Sequence, residues 1–109
     1  MFSNKKGYRV ERKIRLMLSE SGWHVIRSGG SLGEYDLIAF KRKKCVFFQV
    51  KSTSKKSLYY YGYSKPSFFG FPFLLVVDFG YGNIRILKPK KRVRSTEGEK
   101  FKEYLRKNT

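Results

Sequence analysis

The sequence predicts a small α/β domain built on a mixed central β-sheet. Three patterns indicate it: an apolar stripe at helical spacing near the N-terminus, two apolar runs joined by a basic turn, and a later apolar run of strand length. In order, the chain reads as a helix, three strands, an aromatic segment, two strands and a helix. We expect residues 1–109 to form a single domain, because this length suits one compact unit.

The first helix is predicted over Ser3–Ser21. Residues at helical spacing form one stripe for burial, made of Val10, Ile14, Met17, Leu18 and Ser21. We expect Ser3 or Asn4 to cap its start and Gly22 to end it.

Residues 35–50 are predicted to form a β-hairpin. Two apolar runs, 35–40 and 45–50, flank four consecutive cations, and we centre the turn on Arg42 and Lys43. Successive strand residues alternate between faces, so the register decides which side chains meet. The predicted opposite pairs are Phe40 with Cys45, Ile38 with Phe47, and Asp36 with Gln49.

At its open end, this hairpin would bring an acid, an amide and an amine together. Asp36 and Gln49 face each other in the predicted register, and Lys51 follows one step further along the same face. A slip of one residue would send Asp36 and Gln49 to opposite faces. The same groups also suit a half-buried Asp36–Lys51 ion pair without catalytic function, and the residues alone support both interpretations equally.

Composition and turn signals assign the remaining segments. Residues 23–28 form the predicted first strand, and the glycine-rich 29–33 is either a phosphate-binding loop or a plain connector, without the G-K-[ST] of a P-loop. Residues 57–66 form an aromatic segment, interpreted as core or as an exposed interface. The later predicted elements are a strand at Phe71–Phe79, a strand at Ile84–Leu87, a basic connector at Lys88–Arg94, and a capping box at Thr96–Glu99 that opens a helix to Lys107.

The net charge of +17, from 25 Lys and Arg against 8 Asp and Glu, predicts an anionic partner. Nucleic acid is favoured over a membrane surface, because no basic amphipathic helix with an exposed apolar face is evident. No apolar run approaches the roughly 20 residues that span a bilayer. With one cysteine (Cys45) and one histidine (His24), the chain lacks zinc-ligand spacing and disulfides. We expect a cytoplasmic, intracellular protein of cellular or viral origin.

Asp36, Gln49, Glu11 and Lys51 together suggest metal-dependent cleavage of a phosphodiester. Mg²⁺ prefers oxygen ligands, which the two carboxylates, the Gln49 amide and the Val50 carbonyl would supply. Lys51 would orient the attacking water or stabilise charge at the phosphorus. Glu11 lies at the edge of the helical stripe, so it either points along the sheet or pairs with Arg15 in solvent.

The chain resembles the archaeal Holliday-junction resolvase family of the PD-(D/E)XK nuclease superfamily. The resemblance lies in G-x-x-x-E-R at 7–12, R-S-G-G-S at 27–31, D-L-I-A at 36–39 and Q-V-K-S-T at 49–53. It covers residues 3–56 closely and extends more loosely to Pro89. It implies a restriction-endonuclease-like fold, with helices flanking the sheet, and a Mg²⁺-dependent homodimeric endonuclease, in which Mn²⁺ can substitute, that nicks four-way DNA junctions in pairs.

The resemblance also implies particular residues. Glu11, Asp36 and Lys51 match the catalytic acids and lysine of the family, and Ser31 matches a loop serine of the site. With basic residues around the site, the expected DNA contacts are Lys5, Lys6, Arg12, Arg27, Ser31, Lys55 and Lys56. Two departures stand out: Gln49 replaces an acid, which should lower metal affinity, and the segment after the Lys51 strand, a helix in the family that helps to form the dimer, is shortened here to the aromatic stretch 58–71.

The expected function is therefore a metal-dependent endonuclease for Holliday junctions. Two alternatives remain at this level: a catalytically silent nucleic-acid-binding module, favoured by Gln49, and a nicking or repair nuclease acting on flaps or linear duplex. The expected partners are branched DNA and a second copy of the chain, with no membrane.

Overall fold

The computed structural model describes residues 5–28, 34–62 and 64–108 of the chain. In this part it contains two helices, α1 (Lys5–Glu20) and α2 (Phe101–Lys107), and nine strands. The strands are β1 (His24–Arg27), β2 (Leu37–Lys41), β3 (Lys44–Ser52), β4 (Ser57–Tyr59), β5 (Ser67–Phe68), β6 (Phe71–Asp78), β7 (Ile84–Leu87), β8 (Arg92–Arg94) and β9 (Glu99–Lys100).

The strands form one large mixed sheet and a separate two-stranded ribbon. The sheet runs in the order β1-β2-β3-β6-β7-β9, with β5 paired to β6, and the ribbon joins β4 to β8. Strands β3 and β6 are parallel, whereas the other pairs are antiparallel. The predicted mixed central sheet is therefore confirmed.

The predicted hairpin register is confirmed in β2 and β3. Phe40 pairs with Cys45 and Ile38 with Phe47. The turn lies at Arg42 and Lys43, where Arg42 adopts a left-handed φ of 57°. Because this register holds, alternate residues of the two strands pack on opposite faces of the sheet, as predicted.

Helix α1 ends as the sequence predicts. Gly22 has φ 92°, a conformation that glycine adopts at little cost, and the Trp23 N–H donates back to the Leu18 carbonyl at 3.0 Å. The predicted caps Ser3 and Asn4 lie outside the described residues. No helix in the described part of the chain is long and apolar enough to cross a membrane.

Both faces of the sheet are covered by apolar packing. Helices α1 and α2 pack on one face, and their buried contacts include Ile14, Leu18, Phe48, Val76 and Phe101. The other face packs against the ribbon and β5, with Phe47, Tyr60, Phe68, Phe73 and Val93 in the core. The continuous apolar pattern of β6 follows from this position, because its residues from Phe73 onward pack alternately into the cores on the two faces.

The C-terminal third departs from the predicted elements. The stretch predicted as a plain basic connector contains strand β8, which pairs with β4. The predicted capping box is wrong: α2 begins at Phe101 after Lys100, which makes no side-chain cap hydrogen bond. Residues 99 and 100 pair with β7 instead, and Glu97 accepts a hydrogen bond from the Arg94 backbone N–H at 2.7 Å.

A close backbone approach explains why the last helix starts late. Gly98 has φ 71°, and a Cβ atom there would meet the Ile86 carbonyl oxygen at 2.7 Å. The chain thus turns tightly against β7 and adds β9 to the sheet before it can enter a helix. Tertiary pairing has overridden a local signal for a helix start.

The aromatic stretch 58–71 is divided between core and surface. Tyr60 and Phe68 are buried, whereas Tyr59, Tyr61 and Phe69 are exposed. Its described residues include parts of β4 and β6 and the whole of β5, and no helix.

Candidate active site

The backbone holds Asp36 between two strands. Its N–H donates to the Phe48 carbonyl at 2.7 Å, and its own carbonyl accepts from the Ser28 N–H at 2.9 Å. These bonds extend the β2 pairing by one residue, so Asp36 sits opposite the Phe48–Gln49 segment of β3. The carboxylate is thereby fixed at the open end of the hairpin.

One oxygen of the Asp36 carboxylate accepts two hydrogen bonds from neutral donors. The Gln49 side-chain Nε2 and the Val50 backbone N–H each donate to Oδ2 at 2.8 Å. Among the described residues, none donates to the other oxygen, Oδ1, and none forms an ion pair with Asp36. The predicted meeting of Asp36 and Gln49 is therefore present, and the alternative Asp36–Lys51 ion pair is absent from the described residues.

Gln49 is buried, and its amide has a defined orientation. Its side chain lies on the sheet face that also carries Phe47, and it is 9% exposed. Because Nε2 donates to Asp36, the carbonyl oxygen Oε1 is left without a donor among the described residues. The site therefore presents two oxygens without hydrogen bonds, one from a carboxylate and one from an amide.

Glu11 reaches the same site from α1 and pairs with a strand residue. Arg27 Nε donates to Glu11 Oε2 at 2.6 Å, and the Arg27 guanidinium lies 5.2 Å from the centre of the Tyr8 ring. The Arg15 partner considered from the sequence is therefore wrong, since helix α1 packs on the sheet and aims Glu11 at the end of β1 instead. Glu11 is well covered, with 17% of its side chain exposed.

The surroundings disfavour a negative charge on Asp36. Burial raises the pKa of its carboxyl group above the ordinary value, and the nearby Glu11 carboxylate raises it further. The Val50 N–H, Lys51 and Arg27 act in the opposite direction without cancelling these effects. A cation placed beside Asp36 would relieve this cost.

These groups line one open cleft of about 490 Å³. The lining residues are Gly7, Tyr8, Glu11, Arg27, Asp36, Gln49, Val50, Lys51 and Ser52. A second cleft of equal volume, between α2 and β7, has no carboxylate in its lining. The first cleft is thus the place where acids, an amide and cations meet.

The donor set of this cleft fits a hard divalent cation. Its oxygens come from the carboxylates of Asp36 and Glu11, the Gln49 amide and the carbonyl of Val50, which are the ligand types that Mg²⁺ and Mn²⁺ accept. Among the described residues there is no group of three or more His, Cys, Asp or Glu that suits a metal. A metal here would therefore depend on the amide and on water to complete its shell.

The other predicted residues lie at different distances from the cleft. Lys51 lines it and is exposed. Arg12 is exposed on α1, and Lys55 and Lys56 are exposed between β3 and β4, outside the cleft lining. The backbones of Lys5 and Lys6 belong to α1, and Ser31 with the rest of 29–33 lies outside the described residues.

Two features near the site were missed from the sequence. Tyr8 supports Arg27, and only the helical position of Tyr8 one turn before Glu11 could have indicated it. Asp78 is 6% exposed and binds Lys13 at 3.0 Å and the Gly80 N–H at 2.8 Å. An acid at the end of an otherwise apolar strand was its signal in the sequence.

Comparison with known proteins identifies the family. The model of the archaeal Holliday junction resolvase (Hjc) family matches residues 2–64, which is more than half of the chain. The chain belongs to this family.

Individual relatives agree with this family assignment. The crossover junction endodeoxyribonuclease Hjc of Methanocaldococcus jannaschii is 40% identical over 55 residues, which are 50% of this chain and 41% of that protein. The matched part thus spans less than half the length of this Hjc. The 1.6 Å structure of Archaeoglobus fulgidus Hjc, a Holliday junction resolvase, has a TM-score of 0.73 at 18% identity and covers 93% of this chain and 96% of that one. The fold is thus the restriction-endonuclease-like fold of Hjc.

Proposed function

We propose that this protein is a divalent-metal-dependent DNA endonuclease that resolves four-way junctions. The observation that carries the proposal is the Asp36 carboxylate, which is desolvated, has no cation partner among the described residues and lies beside the Gln49 amide and Glu11 in an open cleft. Membership of the Hjc family, and the name crossover junction endodeoxyribonuclease carried by a relative, support the substrate.

In this proposal Asp36, Glu11, Gln49 and the carbonyl of Val50 hold Mg²⁺, for which Mn²⁺ can substitute. When bound, the metal would lower the pKa of a water molecule and neutralise charge on the phosphate. The chain supplies the alignment: Asp36 Oδ2 accepts a hydrogen bond from the Gln49 amide nitrogen, which leaves the amide oxygen for the metal. Glu11 would have to exchange its contact with Arg27 for the metal.

Lys51 acts at the reacting phosphate. Its ammonium group lines the cleft, where it can orient the attacking water or stabilise negative charge that develops on the phosphate oxygens. Arg27, released from Glu11, would bind a phosphate of the same strand. Ser31 is assigned to this site by family resemblance alone.

The remaining assigned contacts bind the DNA backbone. They are Lys5, Lys6, Arg12, Arg27, Ser31, Lys55 and Lys56, and the net charge of +17 supports an electrostatic contribution of this kind. Paired nicking of a junction requires two active sites, so the proposal includes a homodimer. Sedimentation of the protein with and without a junction tests this part separately.

A cleavage assay on a synthetic four-way junction tests the function. Wild-type protein should nick the junction in the presence of Mg²⁺ or Mn²⁺, and cleavage should stop when EDTA is added. Asp36→Asn and Lys51→Ala should each lower the cleavage rate at least about 100-fold, a large loss for a metal-site group. Both should still bind the junction in a gel-shift assay. Cleavage by Asp36→Asn at the wild-type rate would show that the site is wrong.

A catalytically silent DNA-binding module is the second candidate, and Gln49 favours it. A neutral amide gives the metal one charge less than an acid would. Titration with divalent metal separates the two functions, because a binder shows no cleavage at any metal concentration. Competition among junction, flap and linear duplex then tells a resolvase from a nuclease of other specificity.

A further inference from the structure

The basic segment Lys88–Arg94 is not part of the cleft. Five of its seven residues are Lys or Arg, and its last three form β8. Strand β8 pairs with β4, and β4 directly follows the basic residues Lys55 and Lys56 in the chain. The Ser95 N–H donates to the Lys56 carbonyl at 2.9 Å, so the two basic segments are tied together at this end.

The β4–β8 ribbon has an apolar inner face and a basic outer face. Val93 is fully buried, and its partner Leu58 packs in the same core, so both point toward the sheet. Because strand residues alternate, the outer face carries Ser57, Tyr59, Arg92 and Arg94. The Arg92 guanidinium lies 5.9 Å from the centre of the exposed Tyr59 ring, which keeps it directed outward.

No ion pair within the described part of the chain neutralises the two arginines of the outer face. Neither Arg92 nor Arg94 forms an ion pair with a carboxylate among the described residues. Glu97, which lies within electrostatic range of Arg94, is itself held by the Lys90 ammonium and by the Arg94 backbone N–H. Two exposed guanidinium groups therefore remain available to an anion, and one of them is stacked on a tyrosine.

The ribbon starts close to the proposed active site. Ser52 lines the cleft, and the β4 residues opposite Arg94 and Arg92 are Ser57 and Tyr59, five and seven residues later. Seven extended residues reach at most about 25 Å. One DNA strand advances about 3.4 Å per nucleotide, so this reach corresponds to about seven nucleotides.

We propose that the outer face of the β4–β8 ribbon is a second phosphate-binding surface, on which Arg92 and Arg94 hold the backbone of a DNA arm within about seven nucleotides of the scissile phosphate. The place of this contact relative to the cut rests on the proposed nuclease function, whereas the binding itself does not. Strand β8, which carries both arginines, lies beyond residue 64, where the match to the family model ends, whereas β4 lies within the match.

Salt-dependent binding tests the surface without any need for cleavage. The probe is a four-way DNA junction in EDTA, and the variant is R92Q/R94Q. Each lost phosphate contact lowers the slope of log affinity against log salt by about 0.9, so the double variant should lose about 1.8. The charge-matched control K43Q/K102Q removes two exposed cations outside the ribbon, one in the β2–β3 turn and one on α2, and should keep the wild-type slope.

The outcomes separate this inference from the proposed function. If R92Q/R94Q and wild type have the same slope of log affinity against log salt, the proposed phosphate-binding surface is wrong, even if wild type cleaves junctions. A lower slope would support it, even if no metal gives cleavage. If wild type does cleave, footprinting of the uncut Asp36→Asn complex should show protected phosphates up to about seven nucleotides from the cut, and R92Q/R94Q in that background should lose that protection. Thermal melting of each variant checks that the fold is kept.

Discussion

Asp36 and Asp78 are two partly or fully buried carboxylates that lie on either side of β3, and they differ in their partners within the protein. Asp78 binds Lys13 at 3.0 Å and the Gly80 N–H at 2.8 Å, so a cation of the protein balances its charge. Among the described residues, Asp36 accepts hydrogen bonds only from an amide and a backbone N–H, and its pKa is raised by burial. Asp78 thus has a cationic partner within the protein, whereas our proposal assigns the carboxylate of Asp36 to a bound metal.

Cleavage by two matched variants is the strongest test of this difference. Asp36→Asn and Asp78→Asn make the same chemical change on opposite sides of β3. On a four-way junction with Mg²⁺, we expect at least about a 100-fold loss for Asp36→Asn and a rate near wild type for folded Asp78→Asn. Equal losses in both variants would mean that the two carboxylates do not have separate functions.

Stability should show the reverse order. Asp78→Asn keeps one of the two oxygens that bind Lys13 and the Gly80 N–H, so the loss of the other should lower the free energy of unfolding in urea by about 1–3 kcal/mol. Asp36→Asn should cost little or stabilise, because both of its hydrogen bonds go to one oxygen, which Asn can retain, while a desolvated charge is removed. Lys13→Met removes the cation that pairs with Asp78. Because the Lys13 side chain is 52% exposed, this change should lower the free energy of unfolding by at most about 1 kcal/mol. A greater loss for Asp36→Asn would contradict the comparison.

Gln49→Glu would add beside Asp36 the negative charge that the neutral amide lacks. A second acid beside Asp36 should reduce the Mg²⁺ concentration for half-maximal cleavage at least about fivefold, equivalent to about 1 kcal/mol. Without metal, the variant should be less stable, since it loses the amide donor to Asp36 and sets two acids side by side. Unchanged metal dependence would argue against Gln49 as a ligand.

The smallest expected effect is a dependence of stability on pH. Because the pKa of Asp36 is raised on folding, the folded state holds this proton more tightly than the unfolded state. Its contribution to stability is therefore complete below the ordinary pKa of 3.8 and declines as pH rises through the higher folded value. In EDTA, the stability of wild type relative to Asp36→Asn should rise as pH falls from 7 to 4. Urea unfolding across this range measures it, and a fall would contradict the assigned direction.

Several elements could be predicted because their signals are local. The stripe ending at Gly22 and the hairpin turn at Arg42 each depend on residues within one turn or one strand pair. The hairpin register in turn brought Asp36 and Gln49 together. The helix start at Thr96 was wrong because pairing of residues 99–100 with β7 competes with it, and no pattern near Thr96 reveals that strand.

The sequence by itself determined the fold class, the hairpin and the residues from which the candidate site is built, since alternation, turn chemistry and motif spacing act over short stretches. Only the tertiary structure decided which charges are balanced. Arg27 pairs with Glu11 across 16 residues and Lys13 with Asp78 across 65. Such partners depend on how α1 packs against the sheet and on the order of its strands, which bring distant charges together in space.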